Sequence, residues 1–170
     1  DPTPYAQALA DNPYGGVWAS GGNLNTARAF LAGAGTQTAA LAFGGGSPIK
    51  DETEKYDGSS WTEVNDLNSG RSYLAGCGTQ TAALAFGGNL PPQTAATEKF
   101  DGTNWTEVND LNTSRNELAG FGTQTSALAV GGYDPPYTGV TEKFDGTSWT
   151  ETGDLSTARG DLAGVGTQTA

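Results

Sequence analysis

Apolar residues in this chain come in short runs, each closed by Gly, Thr, Asn or Asp, and no window holds the i, i+3, i+4, i+7 spacing of an amphipathic helix. Glycine recurs too densely for a helix of ordinary length. Strand signals alternate with turn signals instead. Residues 74–78 and 82–86 are small and apolar, and the Thr79-Gln80 corner between them suits a tight hairpin. Residues 97–100 alternate polar and aromatic side chains, Asp101-Gly102 is a hairpin turn signal, and residues 105–108 alternate again. The pattern predicts an all-β chain built from groups of four short antiparallel strands.

That group repeats. Trp18, Trp61, Trp105 and Trp149 are spaced by 43, 44 and 44 residues, and Arg28, Arg71, Arg115 and Arg159 keep the same intervals. The unit reads LAGxGTQT, ALAFGG, a variable stretch, TEK(Y/F)DGxxWTE and DLN(S/T)xR, and residues 74–117 match residues 118–161 at 29 of 44 positions. Four strands at this period form the blade of a β-propeller, in which each sheet packs on its neighbours and none is stable alone. Residues 31–73, 74–117 and 118–161 are three complete units within a single domain, 1–170. Residues 1–30 carry the outer strand of a split blade, around Tyr14 and Trp18, and residues 162–170 carry its inner strand. A fourth blade shared between the termini, or with another chain, is therefore expected. Recurrence of the Arg, and of Lys55, Lys99 and Lys143, points to architecture rather than to one active site. Each Arg is expected to bond between blades, with Asp66, Asp110 and Asp154 as partners; a carboxylated ligand is the alternative.

Small apolar strands ending in Gly44-Gly45, Gly87-Gly88 and Gly131-Gly132 are followed by an aromatic (Tyr56, Phe100, Phe144) and, five residues later, by Trp61, Trp105 and Trp149. This arrangement resembles the kelch repeat. The resemblance implies a β-propeller whose first strand lines a central channel and whose fourth strand is outermost. The wording GTQTAALAFGG and TEKFDGTxWTEVNDLN is also similar to kelch-type repeat proteins of marine bacteriophages. On the implied channel strand the variable position of LAGxG is Ala34, Cys77, Phe121 or Val165, which reads as a pocket lining or as packing adjustment. The Trp reads as interblade core or as a sugar-stacking ring.

Composition narrows the chemistry. A chain of 170 residues suits one core. With 8 basic and 19 acidic residues the net charge is −11, so the phosphate-neutralising surface of a nucleic-acid binder is missing. There is no His, which removes the commonest general base and transition-metal ligand. The single thiol, Cys77, can form neither an intramolecular disulfide nor a cysteine zinc site. No apolar run is long enough for membrane insertion. The start, Asp1-Pro2-Thr3-Pro4, has no Met and no signal-peptide pattern, so the chain is expected to be processed or part of something longer. Asn65, Asp66 and Asn68 are oxygen ligands without the spaced Asp pattern of a calcium loop. The Asp-Gly-x-x-Trp corner is similar to the sialidase Asp box, but one residue shorter and without a recognisable Arg triad. Kelch-type copper oxidases require His. No cofactor, no bound metal and no catalytic activity are expected.

Among the copies, the Gly-Thr-Gln-Thr corner is constant and the Asp-Gly hairpin occurs three times. The connections at 46–52, 89–96 and 133–140, and the residues around each Arg, differ in every copy. Propeller topology places the constant corners on one face and the variable connections on the other. Loops that vary on a retained scaffold carry recognition, although unconstrained surface loops also drift. The candidate ligand-binding residues are Asn89, Leu90, Gln93, Tyr133, Asp134, Pro135, Pro136 and Tyr137. The sequence is thus expected to encode a noncatalytic structural or decoration protein of a phage virion or surface fibre, located on a virion or an extracellular surface. Its expected partners are other virion subunits, copies of itself, or a host surface glycan or protein. A secreted or surface carbohydrate- or protein-binding propeller of bacterial origin is the alternative.

Overall fold

The computed structural model describes residues 20–46 and 48–168. Trp18 and the outer strand expected near it lie outside these residues. Twelve strands occur among them, with no helix: β1 (Ala32–Thr36), β2 (Ala39–Phe43), β3 (Thr53–Tyr56), β4 (Trp61–Val64), β5 (Ala75–Thr79), β6 (Ala82–Phe86), β7 (Thr97–Phe100), β8 (Trp105–Val108), β9 (Ala119–Thr123), β10 (Ser126–Val130), β11 (Thr141–Phe144) and β12 (Trp149–Glu151). They form three four-stranded antiparallel sheets, β1–β4, β5–β8 and β9–β12, each paired in sequence order. The registers coincide: Phe86 faces Thr97 and Phe100 faces Trp105, as Phe43 faces Thr53 and Tyr56 faces Trp61.

Strand pleating explains why the second strand of each unit is apolar throughout. Side chains alternate across a sheet, and in the middle sheet this strand is covered on both sides. Leu84 and Phe86 join Ala127, Ala129, Phe144 and Trp149 in the core between the second and third sheets. Ala83 and Ala85 join Leu41, Phe43, Phe100 and Trp105 between the first and second. The large residues of one sheet thus meet the alanines of the next, and burying each Phe contributes about 2 kcal/mol. The first strands of successive sheets, β1, β5 and β9, lie side by side.

The same pleat decides the LAGxG position for packing at Cys77. Cys77 is 6% exposed and packed in the core between the second and third sheets, so it faces the next sheet. Burial pushes its thiol up to about 12, which leaves it protonated and unreactive. The glycine before it faces the other way: a Cβ on Gly76 would collide with the Phe43 ring, and one on Gly120 with the Phe86 ring. Glycine here makes room for the preceding sheet's Phe.

Candidate functional site

The sheets are joined by one set of side chains used twice. Arg71, in the linker after β4, donates from Nη1 to Glu98 Oε1 on β7 at 2.6 Å, and Asn68 donates its backbone N–H and Nδ2 to Glu98 Oε2 at 2.8 and 2.9 Å. At the next joint Arg115 pairs with Glu142 at 3.1 Å and Asn112 donates twice to Glu142 Oε2. Both ion pairs are fully buried at the side chain. Desolvation draws the Arg115 pKa down, opposed by the Glu142 charge.

The expected partners Asp66, Asp110 and Asp154 do something else. Their Oδ1 atoms accept the N–H of Thr53, Thr97 and Thr141 within their own sheets. The Glu of the TEK motif is the partner because, as the second residue of the following unit's third strand, it lies within reach of the linker's Arg and Asn. Asn68 Nδ2 also donates to Trp105 O, and Asn65 Nδ2 to Asn104 Oδ1.

Three more contacts complete each joint. Trp105 Nε1 donates to Thr53 Oγ1 and Trp149 Nε1 to Thr97 Oγ1, both at 3.1 Å; each indole is 5% exposed, which leaves no ring face for a sugar. Gln80 Nε2 donates to Ala40 O and Tyr56 O, and Gln124 Nε2 to Ala83 O and Phe100 O. Lys55 Nζ donates to Gly102 O at 2.8 Å over the Phe100 ring, and Lys99 Nζ reaches Gly146 O over Phe144. The constant Gly-Thr-Gln-Thr and Asp-Gly corners therefore belong to the joints. Shallow open grooves lined by Asn68, Trp105, Thr106 and Glu107, and by Asn112, Trp149, Thr150 and Glu151, are by-products of the same geometry.

The variable connections gather opposite these corners. Gly45 N, Gly88 N and Gly132 N donate to the carbonyls of Arg71, Arg115 and Arg159, which ties each 2–3 connection to the linker behind it. Gly44, Gly87 and Gly131 adopt φ of 65°, 63° and 60°, and a Cβ on Gly87 would lie 2.7 Å from Arg115 O. Asn89 pairs with Ser72 and Gln93, and Tyr133 with Asn116 and Tyr137, through isolated bridges. Gln93 Nε2 meets Asp134 Oδ1 at 3.5 Å, which brings the two connections together. Leu90 and Tyr137 are 43% and 48% exposed, and the Tyr133 and Tyr137 rings meet at 5.1 Å. Pro135 and Pro136 are exposed.

A second feature of this face was not read from the sequence. Phe30, Tyr73, Glu117 and Asp161, each preceding the Leu of LAG, hold φ of 56°, 54°, 56° and 50°. Their backbones are chained: Tyr73 N donates to Phe30 O, Glu117 N to Tyr73 O and Asp161 N to Glu117 O. Phe30 stacks on Tyr73 at 4.1 Å. A non-glycine residue at positive φ costs about 1–3 kcal/mol and persists only where its surroundings enforce it. Four unlike residue types at this position hide the constancy of the backbone.

No family model and no curated protein matches this chain.

Proposed function

We propose that the chain is a noncatalytic kelch-type β-propeller module, a structural or decoration component of a phage virion or surface fibre, which meets a host glycan or protein through its variable loop face. Its fourth blade is shared between the termini or with another chain, and its further partners are other virion subunits or copies of itself. The observation that carries this reading is the division of labour between faces. The constant corners of the second and third sheets supply contacts in the joints, while the connections that differ hold exposed Leu90 and Tyr137 on a fixed backbone. A rigid scaffold with changeable loops serves contact rather than turnover. The exposed aromatics of that face also favour a secreted or surface carbohydrate- or protein-binding propeller, the second reading. No helix among the described residues is long and apolar enough to cross a membrane.

Gold-labelled antibody against the purified chain, applied to particles and cells from its natural source, tests the location. Label on particle fibres is expected, and label confined to cell surfaces or medium would move the assignment to the second reading. Binding of the purified chain to a glycan array and to intact cells tests the face. Leu90→Ser with Tyr137→Ser is expected to abolish it, and unchanged binding would overturn the loop-face assignment.

A further inference from the structure

The two outer sheets hold opposite halves of one joint. In each joint the earlier sheet offers a Lys and a Thr that accepts an indole N–H, and the later sheet offers a corner Gln, a corner glycine carbonyl and the Trp. The third sheet keeps the first half without a taker: Lys143 is exposed, Leu128 is only partly buried, and no indole among the described residues reaches Thr141 Oγ1. The first sheet keeps the second half. Gln37 and Gly58 are exposed, and Tyr56 and Trp61 are only half-buried, although their counterparts in the second and third sheets are buried. The linkers decide which unit fits beside the third sheet. Asn25, Asn68 and Asn112 each donate a backbone N–H and Nδ2 to the Glu of the sheet that follows, whereas the matching residue of the third linker is Ser156, which has no amide to repeat that contact. A unit beside the third sheet must therefore arrive with its Glu already held. The first sheet does, because Arg28 pairs with Glu54 at 3.1 Å and both side chains are fully buried.

We infer that the flank of the third sheet is the docking surface for the first sheet of a second copy of this chain. The inference rests on the propeller reading and selects, among its partners, a copy of the chain itself. The pattern of the two joints assigns Lys143 Nζ to Gly58 O over the Tyr56 ring, and Trp61 Nε1 to Thr141 Oγ1. Two weakly held tenants give way. Gln168, in a segment that forms no strand, yields Ala127 O and Phe144 O to Gln37 of the incoming copy. Gly22 O, in an exposed stretch outside any strand, releases the Trp61 indole. The contact is head-to-tail, so each copy offers both halves and two copies can close on each other. Two copies of three sheets make six, within the roughly four to eight blades of propellers, and three copies would make nine.

Sedimentation velocity of the full chain over a range of concentrations tests this, at about 0.15 M salt so that repulsion between two copies of charge −11 is screened beyond about 8 Å. A dimer is expected. Lys143→Glu and Gln37→Ala, at exposed positions and checked for folding by circular dichroism, should each weaken it about tenfold through the lost hydrogen bonds. Gln168→Ala removes a tenant and should tighten the dimer about threefold. Arg159→Ala should leave it within about twofold, because Glu54 arrives with Arg28. A monomer at every concentration, a dimer indifferent to Lys143→Glu and Gln37→Ala, or one weakened as much by Arg159→Ala would each overturn the proposal. So would a dimer loosened by Gln168→Ala, which would mean that residues 162–168 belong to the joint instead of yielding to it. A monomer that still binds cells or glycans through Leu90 and Tyr137 would keep the loop-face reading and sink this one.

Discussion

The joint between the second and third sheets and the far flank of the third sheet are made from equivalent residues in opposite situations. Inside the joint Leu84 is fully buried; its counterpart Leu128 is only partly so. Thr97 Oγ1 receives the Trp149 indole, whereas no indole among the described residues reaches Thr141. Lys99 reaches Gly146 O, but Lys143 is exposed. Arg115 is buried against Glu142, while Arg159 is exposed with its Nε turned to Thr157 O. Gln168 Nε2 still donates to Ala127 O and Phe144 O as Gln124 does one sheet earlier, although residues 162–168 form no strand. At the other end Asn25 and Arg28 clamp Glu54 as a linker from a preceding unit would. The joint, not the sheet, is therefore the unit of stability, and a residue's role is set by whether a neighbour stands beside it.

The largest expected contrast comes from the arginines. Arg115→Ala leaves Glu142 buried and unpaired, which costs about 3–5 kcal/mol. Arg159→Ala removes an exposed cation that pairs with no carboxylate among the described residues, and its cost should stay within about 0.5 kcal/mol. Urea denaturation of both variants decides it. Equal losses would mean that the third linker holds something as tightly as the second does.

A smaller contrast isolates packing from charge. Gly120 lies against the Phe86 ring of the preceding sheet, so Gly120→Ala forces ring or backbone to shift and should cost about 1–3 kcal/mol. Gly33, its counterpart in the first sheet, meets only Leu41 O, at 3.2 Å, among the described residues. Gly33→Ala should lie within about 0.5 kcal/mol of the parent by the same measurement. A heavy loss at Gly33 would show that the glycine serves its own strand rather than a neighbour's Phe.

These contrasts also mark how far the sequence could be read. Period, strand count and antiparallel order followed from Trp and Arg spacing and from alternation within residues 97–108, because those signals are local. The sharing of side chains between sheets was not legible, since it depends on which unit lies beside which. The Arg was expected to meet the nearest recurring carboxylate, Asp110, which instead caps Thr97 N in its own sheet. The Glu of the TEK motif sat in view in three copies, and nothing in the pattern of TEK(Y/F) distinguishes a buried Glu from a solvated one. The constant Gln of the Gly-Thr-Gln-Thr corner was read as a turn, although a hairpin needs no Gln; its two acceptors lie on the preceding sheet. On the loop face, Tyr133 and Tyr137 stood out as aromatics beside Pro-Pro. Phe30, Tyr73, Glu117 and Asp161 share only a backbone angle, which leaves no trace in side-chain identity.

The smallest effect should come from the Asp carboxylates of the Asp-Gly corners, which bond only within their own turn even where the following Gly carbonyl serves a joint. Asp57, Asp101 and Asp145 each accept two backbone N–H groups from the residues two and three positions ahead. Those bonds, led by Ser60, Asn104 and Ser148, hold the three carboxyls below their ordinary range although they are exposed to solvent. A carboxyl whose folded pKa is depressed stabilises the fold fully above its unfolded value and loses that contribution as pH falls through the folded one. Stability should therefore decline below about pH 4 through these groups. Asn keeps the two accepted bonds and removes the titration, so Asp57→Asn, Asp101→Asn and Asp145→Asn should each flatten the acid limb of thermal unfolding by the same small amount. A larger change at Asp101 or Asp145, whose glycine carbonyls receive Lys55 and Lys99, than at Asp57 would show that the joint reaches the Asp carboxylate as well as the glycine carbonyl.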